Sequence, residues 1–247
     1  MADRDRLDAT LEPDVRLTLL GSFGLTVGGR EVPLPPSAQR VLAALALARA
    51  HLDRTLLGAL LYPDGRRNQA SASLRSALWR TKSAAGRAVV EAQGQRLRLM
   101  VGVEVDVQRW ARQARSVASE PSHDAGPDSS EMVEALSQEL LPSWPDEWLI
   151  LERQRWDHLR LHALEILADK FAADGRHMDA VEAGHAAVAI EPYRESAHRT
   201  LIRAYIAEGN CASALAQYQR CQRVLMRDLG VQPTAQIRAL VKNITVD

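Results

Sequence analysis

Only two cysteines occur in this chain of 247 residues, Cys211 and Cys221, and they lie ten apart in sequence of helical character with no CxxC pattern. That scarcity argues against both a disulfide framework and a zinc site, and leaves the two thiols as small helix-packing residues. Long apolar runs are missing as well. No stretch reaches the roughly 18 residues needed to cross a bilayer; the longest candidate, VLAALALARA from Val41, is interrupted by Arg49 and reads as a core helix. The opening MADRDRLDATLEPD alternates acids and bases without the apolar segment of a signal peptide. The expectation is a cytoplasmic chain, nucleoid-associated if it binds DNA, with a loose tail over residues 1–14 and no membrane partner.

Catalytic signatures are equally scarce. The glycines form neither a GxxxxGK followed by Ser or Thr nor a GxGxxG, so turn chemistry explains them better than phosphate binding. His158 and His162 stand four apart on one helix, but no Glu completes an HExxH and no third ligand is apparent. Asp146-Glu147 precedes a helix and reads as N-terminal charge rather than an acid/base pair. With no nucleophile motif either, no catalytic residue, metal or cofactor is assigned, and the chain is expected not to be an enzyme.

What is present is an uneven charge. The formal net charge is zero, yet residues 1–102 carry 15 basic and 9 acidic residues, a net +6, whereas the remainder carries 16 and 22, a net −6. Between Arg66 and Arg98 eight Arg and Lys face Glu91 alone. A neutral protein thus concentrates a basic field in one segment.

Val15 to Pro35, VRLTLLGSFGLTVGGREVPLP, shows short alternating runs punctuated by Gly21, Gly24 and Gly28-Gly29, which predicts a small antiparallel sheet with tight turns. Pro36-Ser37 marks a helix start, with Ser37 as its cap. Asp53 caps a second helix, RTLLGALLY, which Pro63-Asp64-Gly65 stops, and a third helix runs from about Asn68 to Ala85. AVVEAQGQRLRLM is a hairpin that turns at Gly94. Sheet, three helices and hairpin is the order of a winged helix-turn-helix, whose third helix enters the major groove while the hairpin meets the neighbouring backbone.

The third helix contains SLRSALWRTK. Leu74, Leu78 and Thr81 share a side that suits a core, while Arg75, Trp79 and Lys82 project together from the flank. Taken alone this is better read as a solvated cationic face; its place in the winged-helix order and in the basic segment turns the reading toward DNA. The candidate DNA-contacting residues are Arg66, Arg67, Ser73, Arg75, Ser76, Trp79, Arg80, Lys82, Arg87, Gln95 and Arg96. Arg75 is the first choice for a base or phosphate contact, Arg80 and Lys82 for backbone contacts and Arg96 for the wing. Trp79 is read either as a DNA contact or as a ring packed on its own domain.

Beyond Gly102 the sequence predicts helices over 103–115, 130–141 and 146–164, with a flexible Ser/Pro/Gly/Asp-rich loop at about 116–131. A repeat follows. Leu167 recurs as Leu201, Phe171 as Tyr205, Ala173 as Ala207, Gly175 as Gly209, Ala180 as Ala214 and Val181 as Leu215, each 34 residues on. That period is that of a tetratricopeptide helix pair, a unit that stacks to bury a shared core and leaves a surface for another protein.

The motifs LLGSFGLTVGGREVPLP, LLGALLYPDG, SASLRSALWRTK and VEAQGQRLRL, followed by VEVDV, resemble the DNA-binding half of the Streptomyces antibiotic regulatory proteins, which is similar to the winged helix of OmpR-type response regulators. The run from Trp148 through VQPT resembles the bacterial transcriptional activation domain attached to it in the same family. Thr81 stands where such helices usually carry leucine, and Arg96-Leu97 replaces the Gly-Tyr pair common in response-regulator wings. The resemblance implies a winged helix over 15–102 followed by an all-α, tetratricopeptide-like activation domain over 103–247. It implies an activator that binds promoter direct repeats as side-by-side copies, contacts RNA polymerase including its sigma factor, and serves an antibiotic gene cluster. The competing expectation is a repeat-type adaptor, or a repressor that only blocks a promoter.

Overall fold

Gly28 and Gly29 (φ +54° and +74°) make a tight turn. Positive φ at both loop positions is the type I′ geometry that matches strand twist, and two successive glycines adopt it without a Cβ penalty. The turn joins β2 (Gly24–Val27) to β3 (Arg30–Glu31), with Val27 opposite Arg30. In this computed structural model, which describes residues 14–48, 50–63, 65–119, 129–242 and 244, contacts divide the chain into two units. One comprises residues 1–109 and 140–148; the other comprises 110–139 and 149–247. Apart from Asp14, the expected tail lies outside the described residues, as does the middle of the expected loop, 120–128.

The first unit holds a four-stranded sheet of order β3-β2-β1-β7, with β1 at Val15–Thr18 and β7 at Val103–Val105. β1 and β2 are antiparallel as expected, but β7 runs parallel to β1, pairing Val15 with Val103 and Leu17 with Val105. Val103–Val105 is therefore strand, not the start of a helix. Its alternating Val-Glu-Val suits a strand, and the helix begins only at Asp106 (α4, Asp106–Ser119). Asp106 ties the two together: its carboxylate accepts the N–H groups of Leu19 (2.9 and 3.0 Å), Leu20 (3.0 Å) and Val107 (2.6 Å). Burial, the largest influence, pushes this carboxyl above the usual range against the opposing pull of those donors.

Three helices follow the first hairpin: α1 (Pro36–Leu47), α2 (Arg54–Leu61) and α3 (Arg67–Ala85). α1 starts one residue before the predicted cap. Pro36 sits at its first position, where a proline's fixed φ suits a helix and its missing N–H costs nothing, and Ser37 makes no capping bond. Ala38, Val41, Leu42, Ala43, Ala44, Leu45 and Ala46 are all buried, so α1 is enclosed nearly all round. α3 turns a stripe of mostly small residues inward, Ala70, Leu74, Ala77, Thr81 and Ala85, and a Cβ added to Gly58 of α2 would lie 3.6 Å from the Ala70 Cβ. Small side chains let these helices approach closely.

Residues 140–148 return to this unit. Leu20 bridges to Leu140, the Leu141 N–H donates to the Leu19 carbonyl (3.0 Å), Trp144 stacks on Phe23 (6.0 Å between centroids), and Arg40 pairs with Asp146 (3.0 Å). Leu141 has φ +44° and is fully buried. The predicted helices over 130–141 and 146–164 are thus shorter and longer respectively: α5 spans Ser129–Ser137 and α6 spans Leu149–Ala173, because the segment between them pairs with β1's end instead of coiling. The expected loop at 116–131 is narrowed from both sides by α4, which reaches Ser119, and by α5.

The second unit is helical: the rest of α4, α5, α6, α7 (His177–Ile190), α8 (Glu195–Ala207), α9 (Cys211–Leu229) and α10 (Ala235–Lys242). The 34-residue repeat is visible down to single hydrogen bonds. Gly175 and Gly209 both turn with positive φ, the Arg176 N–H reaches back to the Phe171 carbonyl and the Asn210 N–H to that of Tyr205, each at 2.8 Å. Leu167 and Leu201 are fully buried, as are Ala180 and Ala214. Phe171 is buried whereas Tyr205 is half-buried, because its hydroxyl meets His185 Nε2 at 2.8 Å near the surface. At the α7–α8 crossing a Cβ on Gly184 would lie 3.0 Å from the Leu201 Cα, so a larger residue here would require Leu201 to give way. The architecture is a winged helix followed by a tetratricopeptide-like helical domain.

Candidate nucleic-acid interface

α3 begins where Gln69 Oε1 accepts the Arg66 N–H (3.3 Å) and ends at Gly86, whose φ of +65° stops the helix in the left-handed region. With its inner stripe committed to the core, the opposite flank carries Arg75, Ser76, Trp79, Arg80 and Lys82, all exposed, while Ser73 is half-buried. Trp79 is 69% exposed, which removes the reading of a ring buried in its own domain. Thr81 is buried, and its hydroxyl donates to the Ala77 carbonyl one turn back (3.0 Å), so the departure from leucine leaves no stranded polar atom.

The wing is β5 (Val90–Gln93) and β6 (Arg96–Leu99), joined through Gly94-Gln95. Gly94 has φ +60° and Gln95 does not share the sign, the pattern of a type II′ turn. The wing is fastened to the start of α2 by a strand too short to have been predicted, β4 (Leu52–Asp53), in which Leu52 opposes Leu97 and Asp53 opposes Arg96. The next residue continues the tie: the Arg54 N–H donates to the Gln95 carbonyl at 2.8 Å. Asp53 caps α2 as expected, and the N–H of Thr55 is the main influence holding its carboxyl below the usual range. Its oxygens are turned to the helix. Gln95 and Arg96 are exposed at the wing tip.

Among the described residues no ion pair engages Arg66, Arg67, Arg75, Arg80, Lys82 or Arg96. Two other cations of the basic segment are engaged: Arg87 pairs with Asp14, and Arg98 with Glu91 at 2.6 Å, where Gln93 also donates to Glu91 (2.8 Å). The geometry adds a residue that sequence reasoning missed. Arg54, half-buried, lines a cleft with Arg75 and the wing turn, a second with Trp79 and Lys82, and a third with Tyr62 and Arg67. Its signal was faint, a lone arginine after a helix cap, because only the pairing of β4 with the wing brings it to the centre.

Among the described residues, the remaining histidines, cysteines and carboxylates do not assemble into a metal-binding cluster. His158 and His162 meet edge to face (4.9 Å), and His162 lies near Glu165 and Arg194. Among the described residues no group of three or more His, Cys, Asp and Glu could hold a metal ion. Cys211 is exposed, whereas Cys221 is buried and its thiol is pushed up to about 11 by burial. Among the same residues no helix is long and apolar enough to cross a membrane. In the helical unit, buried His198 donates from Nε2 to the Pro192 carbonyl (2.9 Å), which leaves Nδ1 to accept from Gln217 Nε2 (2.8 Å). Burial lowers its pKa, keeping the ring neutral.

Residues 105–245 match the bacterial transcriptional activator domain. The chain is 28% identical over 260 residues to the transcriptional regulatory protein MoaR1 of Mycobacterium bovis, covering 96% of itself and 81% of that protein. It is 33% identical over 106 residues to the regulatory protein AfsR of Streptomyces coelicolor, covering 43% of itself and only 11% of that much longer protein. Among solved structures, Mycobacterium tuberculosis EmbR in complex with a low affinity phosphopeptide superposes with a TM-score of 0.72 at 24% identity, over 96% of this chain and 67% of that one, a likeness of fold. A winged helix with a cationic outer flank, a 34-residue helical repeat and these matches converge: the chain belongs to the bacterial transcriptional activator domain family and is a transcriptional regulator of the Streptomyces antibiotic regulatory protein type.

Proposed function

We propose that the chain is a sequence-specific transcriptional activator that sets α3 into the major groove of promoter DNA, lays the β5–β6 wing on the neighbouring backbone, and recruits RNA polymerase through its helical domain. The observation that carries this reading is the exposed set Arg66, Arg67, Arg75, Arg80, Lys82 and Arg96, free of ion pairs among the described residues, on α3 with its cap and on the wing, whose residues line shared clefts. Cations outside any ion pair with a described carboxylate are available to release counterions from phosphates, and an arginine on a groove-facing helix can bind a guanine edge through two hydrogen bonds. Arg75 is given that base-reading role, with Arg80 and Lys82 on the backbone, Trp79, Ser73 and Ser76 along the same helix, and Gln95 and Arg96 at the wing. Arg87 belongs to the set only when it leaves Asp14. The net −6 of the chain beyond Gly102 suits a protein partner better than a phosphate lattice. Side-by-side binding to direct repeats, contact with the sigma factor and control of an antibiotic gene cluster complete the proposal, supported by the resemblance to the family.

The test uses the full chain and a duplex selected by it from random-sequence DNA. The double variant Arg75→Ala, Lys82→Ala should bind more weakly, and the salt dependence should flatten by about 0.9 in log–log slope for each residue that meets a phosphate. Unchanged affinity and slope in a folded double variant remove α3 from the interface. Transcription in vitro from a promoter carrying the selected site should rise with occupancy; no stimulation would indicate an adaptor, and inhibition a repressor.

A further inference from the structure

Four exposed residues, Ala72, Ser76, Trp79 and Ser83, run in a line down the face of α3 opposite its buried stripe of Ala70, Leu74, Ala77, Thr81 and Ala85. Arg75 and Lys82 flank that line on one side and Arg80 on the other. Ala72, Ser76 and Ser83 are small, which leaves the Trp79 ring projecting furthest from this face. Single apolar residues are common on protein surfaces, so exposure alone assigns nothing to an indole. Its place does. Trp79 is the one exposed large apolar side chain that α3 carries, and it stands on the outermost line of the helix between cations. It also lines a cleft between α3 and the wing whose walls are largely apolar, with Leu78 of α3, Val89 ahead of the wing, and Val90, Ala92 and Leu97 of its strands. Arg54, Thr81 and Lys82 are the polar residues there, and no described carboxylate lines it.

We infer that Trp79 reads the C5-methyl group of one thymine in the major groove, with the aliphatic wall of the adjoining cleft beside it. The inference rests on the DNA-binding reading above and deepens it, adding an apolar base contact to the polar one given to Arg75. Chemistry selects the ligand by exclusion. Base edges in the major groove present acceptors and amino donors, and the thymine methyl is their one apolar group. The face of an indole gains little from a guanine or adenine edge, whereas a methyl pressed against it leaves water. Arg80 and Lys82, placed on the backbone in the proposal above, bracket the ring from both sides and so direct it toward bases rather than phosphates.

The experiment replaces each thymine of the duplex selected from random DNA, one at a time, by deoxyuridine, which removes a methyl and leaves the hydrogen-bonding edge unchanged. The wild-type full chain should bind one of these duplexes about fourfold more weakly, the worth of about one buried methylene. Trp79→Ala should bind the unsubstituted duplex more weakly by at least a similar factor, lose its response to that one deoxyuridine and keep its response to any other. Its salt slope should equal that of wild type, because no phosphate contact is removed. Trp79→Leu, which keeps an apolar surface, should retain part of the methyl response, and thermal unfolding checks that each variant is folded. A selected site without thymine, or a wild type indifferent to every deoxyuridine, overturns the inference. So does a folded Trp79→Ala protein that retains every methyl penalty, the result expected of a ring that lies on sugar or only shapes the helix. These results leave the DNA reading intact, whereas a wild type that fails to select or bind any duplex overturns that reading as well.

Discussion

Replacing Asp106 by alanine should unseat the sheet beneath the winged helix. The carboxylate serves Leu19 and Leu20, whose N–H groups lie at the buried end of β1. Without it these two donors have no partner, and a buried N–H left unsatisfied costs about 1–3 kcal/mol, so the pair costs about 2–6 kcal/mol before relief from the desolvated charge. Against a total stability of about 5–15 kcal/mol for a domain, that is a large fraction. Asp106→Asn keeps one acceptor oxygen and should fall between wild type and alanine. The pH dependence has a definite sign. Because burial raises the folded-state pKa, the group's contribution is full below the unfolded pKa and declines as pH rises through the folded one. The gap between wild type and alanine should therefore narrow from acid toward neutral pH. Urea unfolding at several pH values, with hydrogen exchange at Leu19 and Leu20 to localise the loss, measures all three quantities. An alanine variant within about 0.5 kcal/mol of wild type, the range of surface substitutions, would refute the reasoning.

Two further outcomes follow from the helical domain. His198, kept neutral by burial, should make that domain less stable as pH falls below about 6.5, where the unfolded chain takes up a proton that the folded one resists, at no more than about 1.4 kcal/mol per pH unit. His198→Gln should flatten this dependence between pH 7 and 5 in urea titrations, and an identical acid loss in the variant would assign it to other groups. A disulfide reagent at mildly alkaline pH should modify Cys211 in the native protein and reach Cys221 only after unfolding, as peptide mapping would show; rapid labelling of both contradicts the buried position of Cys221.

Features written in short-range chemistry were legible. Asp53 as a cap, Gly94 at the hairpin turn and the 34-residue spacing of Gly175 and Gly209 each need only a few neighbours to act, and each appears in the structure as the sequence predicts, although Gln93, expected in the turn, belongs to the strand. Ser37 failed as a cap because Pro36 begins the helix ahead of it. The harder features depend on partners distant in sequence. Val103–Val105 is too short to announce itself, and becomes a strand only because β1 offers an edge. Leu141 takes a left-handed backbone without the glycine that would have flagged it. Of the candidate interface, the α3 flank was readable from helical periodicity. Arg87's pairing with Asp14 and the central position of Arg54 were not, since both arise from chain crossings rather than from local pattern.

The return of residues 140–148 to the first unit bears on how the proposed DNA specificity could be moved between relatives. A chimaera joined at a single point near Gly102 would take β1, β2 and the three helices from one parent. It would draw β7, Asp106, Leu140, Trp144 and Asp146 from the other, although these are the partners of Val15, Leu19, Leu20, Phe23 and Arg40. Such a graft mixes the two sides of one core. Transplanting specificity while keeping that core intact calls for two exchanged segments, one through Arg109 and one from Leu140 to Trp148, with the intervening helices left to the recipient.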